Sequence, residues 1–308
     1  MQSSSKWIRG TSPDQPVSEV ARCAAEVRLG FVRALLPLAA RKAEDDVEYV
    51  HQLRVGTRRA MAMLKVFKPL FPRRRRKHLA AQLKEIRQAA GDARDYDVMI
   101  LHFTSNGSAA ELHRELADFL FHLRQDAQRP LEEVERAMAA AKFEQKLEQL
   151  ISRVRWRKRR REPTFGQFAR RGTRKGIAEF VAASRAEFTD LDQVHQFRIA
   201  CKRLRYTMEL FAGAMPSGFR KELYPRLLGL QDRLGALNDH AMAAHHLGFL
   251  ARQAPTSLLA KRLESLAANE EESSQSSYHE FVDSWSPKNA LRLRQAFDDL
   301  LASASTAH

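Results

Sequence analysis

Val50 to Phe67 reads VHQLRVGTRRAMAMLKVF, and Val194 to Phe211 reads VHQFRIACKRLRYTMELF. His51, Gln52, Arg54, Arg58, Arg59 and Phe67 fall opposite His195, Gln196, Arg198, Lys202, Arg203 and Phe211, each pair 144 positions apart. The chain therefore contains an internal duplication. Wound at about 3.6 residues per turn, His51, Arg54 and Arg58 share one narrow arc, and Lys65 continues it two turns on. Leu53, Ala60, Leu64 and Phe67 take the opposite side. In the second copy His195, Arg198 and Lys202 repeat the basic arc, while Phe197, Leu204, Met208 and Phe211 repeat the apolar one. Each copy reads as a helix with a core face and a cationic face.

A second repeated signature lies downstream. Gly91 with Asp95 matches Gly235 with Asp239, again 144 apart, so the register from the His-Arg motif to the Gly-x-x-x-Asp motif is the same in both copies. The two motifs are expected to pack together. A glycine inside a helix costs about 1 kcal/mol relative to alanine, so one at each equivalent place predicts a close helix approach. The aspartate one turn later is placed to hold an Arg or His of the neighbouring helix, as a structural ion pair in preference to a catalytic group.

Helical spacing extends over the rest of the chain. Val20, Ala24, Val27, Phe31, Leu35 and Leu38 mark a first helix from Val17 to about Arg41, with Pro37 as a potential kink or early end. Acidic residues from Glu44 to Glu48 open the VHQLRV helix, which stops near Pro69 and Pro72. Leu83, Ile86, Ala90 and Ala93 give a third stripe that ends around Asn106-Gly107. A fourth runs from Ala109 to about Ala140 through Leu112, Leu116, Phe119, Leu120, Leu123, Leu131 and Val134, with a break expected at Pro130. After Pro163 the order recurs. One helix passes through Phe168, Ile177, Phe180 and Val181, then comes the VHQFRI helix, then a third from about Gly218 with a Leu227, Leu230, Leu234, Leu237 seam. A fourth tract spans Leu247 to Phe281 with an interruption near Pro255, and a short last helix covers Asn289 to Leu301. No strand series is legible. The expected fold is all-α, two four-helix bundles in tandem: a loose arm over 1–16, a first bundle over 17–145, a basic junction over 146–163 and a second bundle over 164–308.

The 52 Lys and Arg outnumber the 37 Asp and Glu, for a net charge of +15 and a pI near 10.2. That excess points to an anionic partner: nucleic acid, polyphosphate or an acidic membrane surface. Two cysteines, Cys23 and Cys201, sit within helices and not at framework spacings, which fits a reducing, cytoplasmic compartment. No apolar run approaches the ~20 residues that a membrane span needs. Two charge runs stand apart from the stripes: Arg73 to Lys77 holds five cations, and Arg153 to Arg161 holds seven in nine residues. The second run is either a solvated junction or an extra arm for the anionic partner.

Arg presents a rigid fork that suits phosphate oxygens, and His gains charge as an anion approaches, so the duplicated arc reads as an anion-binding surface. If a pseudo-twofold axis relates the bundles, both arcs line one groove. Catalytic readings fare worse. His240, His245 and His246 cluster without a second ligand motif, there is no phosphate-binding glycine loop, and no acidic cluster is present to hold Mg²⁺. No catalytic residue, metal site or cofactor is expected.

VHQLRVGTRR and VHQFRIACKRLRY, each followed at the same interval by Gly-x-x-x-Asp, resemble the two halves of a CHAD domain, the conserved histidine α-helical domain. The resemblance covers nearly the whole chain, from about Val17 to beyond Phe281. It implies a pseudo-symmetric pair of four-helix bundles with a basic central surface that binds inorganic polyphosphate, often with recruitment to polyphosphate granules. Carried over by position, the ligand-facing set is His51, Arg54, Arg58 and Arg59 with His195, Arg198, Lys202, Arg203 and Arg205, joined by Lys65 from the arc; Asp95 and Asp239 support it. Met61 stands opposite Arg205, so the half-sites differ in charge. Relatives often carry an upstream triphosphatase domain of alternating Glu and Lys strands. No such strands occur here, and the expectation is non-enzymatic binding. The rival reading is a nucleic-acid-binding module, weakened by only 8% aromatic residues and no base-reading motif.

Overall fold

Apolar residues at three-and-four spacing bury one face of a helix against its neighbours, and the chain uses this device throughout. The computed structural model describes residues 6–104 and 110–306, without the side chains of 102–104, 110–113, 287 and 303–306. The regular structure among the described residues is all-α, apart from one isolated antiparallel bridge between Pro16 and Thr164. The chain divides between Phe165 and Gly166 into two compact units.

The first unit contains α1 (Val17–Arg41), α2 (Glu48–Val66), α3 (Arg73–Ala89), α4 (Gly91–Thr104), α5 (Ala110–Asp126), α6 (Arg129–Ala140) and α7 (Phe143–Ile151). α1 passes through Pro37 without ending. The third tract, expected as one helix, breaks at Ala90, where the next residue is the poor helix former Gly91. Its expected stop at Asn106-Gly107 lies outside the described residues, as does the side chain of Leu112. The fourth tract breaks before Pro130, which takes an early position of α6, where a missing N–H costs nothing. α7 is not among the expected helices. Phe143, Leu147 and Leu150 are its buried stripe, and it reaches well into the segment read as a basic junction.

Residues 6–16, read as a loose arm, are packed. Ile8 is buried, the Arg28 Nη2 donates to the Lys6 carbonyl at 2.6 Å, and the Phe165 N–H donates to the Gln15 carbonyl at 2.8 Å. A largely polar composition conceals one apolar anchor and a set of backbone bonds. Met1 to Ser5 lie outside the described residues.

In the second unit are α8 (Phe165–Ala183), α9 (Leu191–Phe211), α10 (Tyr224–Ala251), α11 (Ser257–Ser284) and α12 (Pro287–Thr306). Asp190 caps α9 by accepting from the Gln193 N–H at 2.8 Å. α10 runs unbroken past Leu247, and the interruption near Pro255 separates it from α11; α12 is longer than the sequence indicates. The expected Leu227, Leu230, Leu234 and Leu237 seam is buried. Phe180, Phe188, Phe197, Phe281 and Trp285 form an aromatic core with neighbouring ring centres 5.0 to 6.3 Å apart. Phe67 and Phe211, the paired ends of the duplicated helices, are both fully buried, each stabilising its unit by roughly 2–3 kcal/mol. Both cysteines are free thiols, and Cys201 is buried.

Candidate functional site

α2 and α9 bury Val50, Leu53, Ala60 and Leu64, and Val194, Phe197, Leu204 and Met208, respectively. That burial fixes the rotation of each helix and turns the basic arc away from the core. In the first unit Arg54 lies across the α3–α4 break. Its Nη1 donates to the Ala90 carbonyl at 3.0 Å, and its Nη2 sits 3.7 Å from Asp95 Oδ1. A Cβ on Gly91 would stand 3.3 Å from the same Nη1, a tight contact that the glycine avoids. The Arg58 Nε donates back to the Arg54 carbonyl at 3.2 Å.

Two further cations join this set. Burial, then Arg58, Arg87 and Arg94, lowers the Arg54 guanidinium below its usual value, while Asp95 acts in the other direction. Burial, then Arg94, Arg58 and Arg54, holds the His51 imidazole below its ordinary value against the opposing charge of Glu48. Arg87 and Arg94 come from α3 and α4 and are not among the expected site residues. The 144-residue offset sets them opposite Gln231 and Asn238, which are uncharged, so the repeat carries no signal for either. Arg58, Arg87 and Arg94 have no ion-pair partner among the described residues.

The second unit repeats the key pairing. Arg198 Nη2 lies 3.7 Å from Asp239 Oδ1, the same distance as between Arg54 and Asp95. His195 Nδ1 donates to Asn238 Oδ1 at 3.3 Å, so the position beside the histidine is an amide here and Arg94 in the first unit. Gly235 departs from expectation. Open space lies where its Cβ would point, and no close helix approach requires it; α10 runs straight through the position at which α3 and α4 separate.

The remaining expected residues divide by exposure. Lys65, His195 and Arg203 are exposed; Arg58, Arg59 and Lys202 are partly so. Arg205 is partly exposed and engages a buried carboxylate. Its Nη1 lies 3.9 Å from Glu209 Oε1, a carboxylate only 1% exposed that also accepts from the Tyr224 hydroxyl at 3.0 Å. Burial and Glu209 push the Tyr224 phenol up to about 12. His240, one of the three clustered histidines, donates from Nδ1 to Glu270 Oε2 of α11 at 2.7 Å. Among the described residues no group of three or more His, Cys, Asp or Glu side chains is placed to hold a metal ion. Among the same residues no helix is long and apolar enough to cross a membrane.

A chain with two His-Arg helices, each meeting an aspartate of a later helix, also matches a sequence profile: that of the CHAD domain, over residues 30–248. The chain belongs to the CHAD domain family. That family is associated with polyphosphate. The fold is similar to the crystal structure of the CHAD domain from the plant Ricinus communis, with a TM-score of 0.71 and 21% identity over 89% of this chain and 95% of that one. It is also similar to PptA from Streptomyces chartreusis, with a TM-score of 0.62 and 18% identity over 90% of this chain and 100% of that one. No curated protein matches. At these identities the likeness carries the all-α CHAD fold, and the chemistry of the site rests on the residues described above.

Proposed function

We propose that this CHAD domain protein binds inorganic polyphosphate without turning it over, through His51, Arg54, Arg58, Arg59 and Lys65 of one unit and His195, Arg198, Lys202 and Arg203 of the other. The reading also takes in the two added cations, Arg87 and Arg94. The observation that carries it is the doubled Arg-Asp geometry set among surplus cations. Arg54 and Arg198 are each held at 3.7 Å by an aspartate, and around Arg54 the charges of Arg58, Arg87 and Arg94 outnumber the carboxylates of Asp95 and Glu48. A run of phosphates neutralises such a cluster at many points, and the fixed guanidinium fork of Arg54 meets it with little further loss of freedom. Arg205 serves as a support, since its charge is committed to Glu209. Among the described residues neither His51 nor His195 is hydrogen-bonded by a carboxylate that would shape it as a general base, which favours binding over hydrolysis. Binding of this kind would bring the protein to polyphosphate granules in the cytoplasm.

The test is direct titration with tripolyphosphate and with long-chain polyphosphate at fixed salt. Exchange of Arg54 and Arg198 for Gln is expected to weaken both ligands by about tenfold or more, the loss of two charge-assisted contacts. Exchange of the exposed Arg220 and Lys261 for Gln is expected to leave both nearly unchanged. Equal losses from the two pairs would reduce the interaction to net charge. Displacement of polyphosphate by single-stranded or duplex nucleic acid at equal phosphate concentration would assign the surface to nucleic acid instead.

A further inference from the structure

The two charge runs lie far apart in the chain, yet the fold of the first unit brings them together. The first, Arg73 to Lys77, opens α3; the second, Arg153 to Arg161, follows α7. Leu70, in the turn between α2 and α3, joins them. Its carbonyl accepts from the Arg155 N–H at 3.2 Å and from the Arg157 Nε at 3.2 Å, directly before the first run begins. The Arg75 Nη1 donates to Gln149 Oε1 of α7 at 2.9 Å, a second tie between the two regions.

The basic segment is built, although it has no regular structure. Val154 is buried, and its carbonyl accepts from the Arg22 Nη2 of α1 at 3.3 Å. The Trp156 Nε1 donates to the Arg160 carbonyl at 2.7 Å, and Glu162 accepts from the Ser18 N–H at 2.7 Å. The cations of the second run remain exposed on this pinned backbone, as do Arg73 and Arg74 beside it. None of the cations of the two runs has an ion-pair partner among the described residues. Partial desolvation on the Leu70 turn, then the neighbouring Arg155 and Arg153, lowers the Arg157 guanidinium below its usual value. A solvated linker has no need to gather like charges on a fixed frame.

We propose that the two runs form a second phosphate-chain contact in the first unit, separate from the Arg54 cluster, which engages long polyphosphate and not short chains. The proposal rests on the polyphosphate reading above. Arg54 and the end of α2 at Val66 are roughly 18 Å apart along the helix, so a short phosphate chain held at Arg54 does not extend to the Leu70 turn. A long chain held at one contact meets the other at a high effective concentration. Ten of the cations are Arg, whose forks suit phosphate oxygens, and the nearby aromatic Trp156 spends its N–H on the segment itself; both favour a bare phosphate chain over stacked bases.

The test exchanges Arg73, Arg74, Arg159 and Arg161 for Gln, four exposed cations whose side chains hold none of the bonds above. For long-chain polyphosphate the slope of log affinity against log salt is expected to fall in magnitude by about 3, at about 0.7 per lost contact, while tripolyphosphate affinity stays within about twofold of wild type. An unchanged slope overturns the proposal but leaves the Arg54 site standing. Failure of the wild type to bind polyphosphate overturns both. An equal fall in slope when Arg220, Lys221, Lys261 and Arg262 are exchanged instead, or a loss confined to nucleic acid, also overturns it.

Discussion

Arg54 reaches from α2 to the Ala90 carbonyl, donating from Nη1 at 3.0 Å across the break between α3 and α4. Ala90 directly precedes α4, so its carbonyl also serves the first intrahelical bond of that helix, and Arg54 takes the second lone pair. The Ala90 carbonyl and Asp95 together fix the guanidinium before any ligand arrives. The second unit keeps the aspartate but not the break, which makes its Arg198 the simpler version of the same device.

Gly91→Ala and Gly235→Ala are expected to behave oppositely. At Gly91 the new methyl crowds the Arg54 Nη1, and polyphosphate affinity falls by about threefold to tenfold. At Gly235 the methyl enters open space inside a helix, so stability rises by about 0.5–1 kcal/mol with affinity unchanged. Denaturant unfolding and binding titrations on the two variants check this, and reversed outcomes would contradict the assignment of Gly91.

Affinity is expected to increase as pH falls. His51 is held below its ordinary value in the free protein by burial and by Arg94, and a bound polyanion raises it, so binding takes up a proton. The gain accrues between the bound-state and free-state values and levels off below the latter. Without ligand the sign for folding is opposite: the unfolded imidazole takes the proton more readily, and stability drops as pH falls through about 6.5 toward the lower folded value. Titrations at constant salt from mildly basic to mildly acid pH, with His51→Gln as the flattened control, measure both effects.

Removal of Arg124 should destabilise the first unit far more than removal of an exposed arginine. Arg124 of α5 pairs with Asp97 of α4, and both are under a tenth exposed. Arg124→Met leaves an uncompensated buried carboxylate, at a cost of about 3–5 kcal/mol. Burial already raises Asp97 above its ordinary value despite Arg124. Without Arg124 the carboxyl is still more easily protonated in the fold than in the unfolded chain, so the deficit shrinks as pH falls toward the unfolded value. Thermal unfolding at two pH values, with Asp97→Asn added as partial rescue, tests the pairing.

Gly172→Ala is expected to cost about 1–3 kcal/mol. Its Cβ would stand 2.5 Å from the ring of Phe211, which is fully buried and has little room to retreat. Comparison of unfolding midpoints with Gly176→Ala, where the nearest atom is 3.2 Å away at the end of a Leu204 side chain, separates overpacking from ordinary helix propensity.

Much of the candidate site is legible in the sequence because it repeats. The duplicated arc identifies His51, Arg54, His195 and Arg198, and the Gly-x-x-x-Asp register places Asp95 and Asp239 against them, as the two 3.7 Å pairs show. The same reasoning goes too far at Gly235, where equal register does not bring equal packing. It stops short at Arg87 and Arg94, which have no cationic counterparts in the second copy and so leave no repeat to notice.

Sequence alone determined the helices, the duplication and which face of α2 and α9 is cationic, because a helical stripe depends only on residues three and four apart. Tertiary structure decided the partners. The commitment of Arg205 to buried Glu209, the seating of His240 on Glu270 thirty residues away, and the meeting of two charge runs at Leu70 each depend on which elements the chain path brings together. Those contacts are set by packing and backbone breaks, and no local spacing records them.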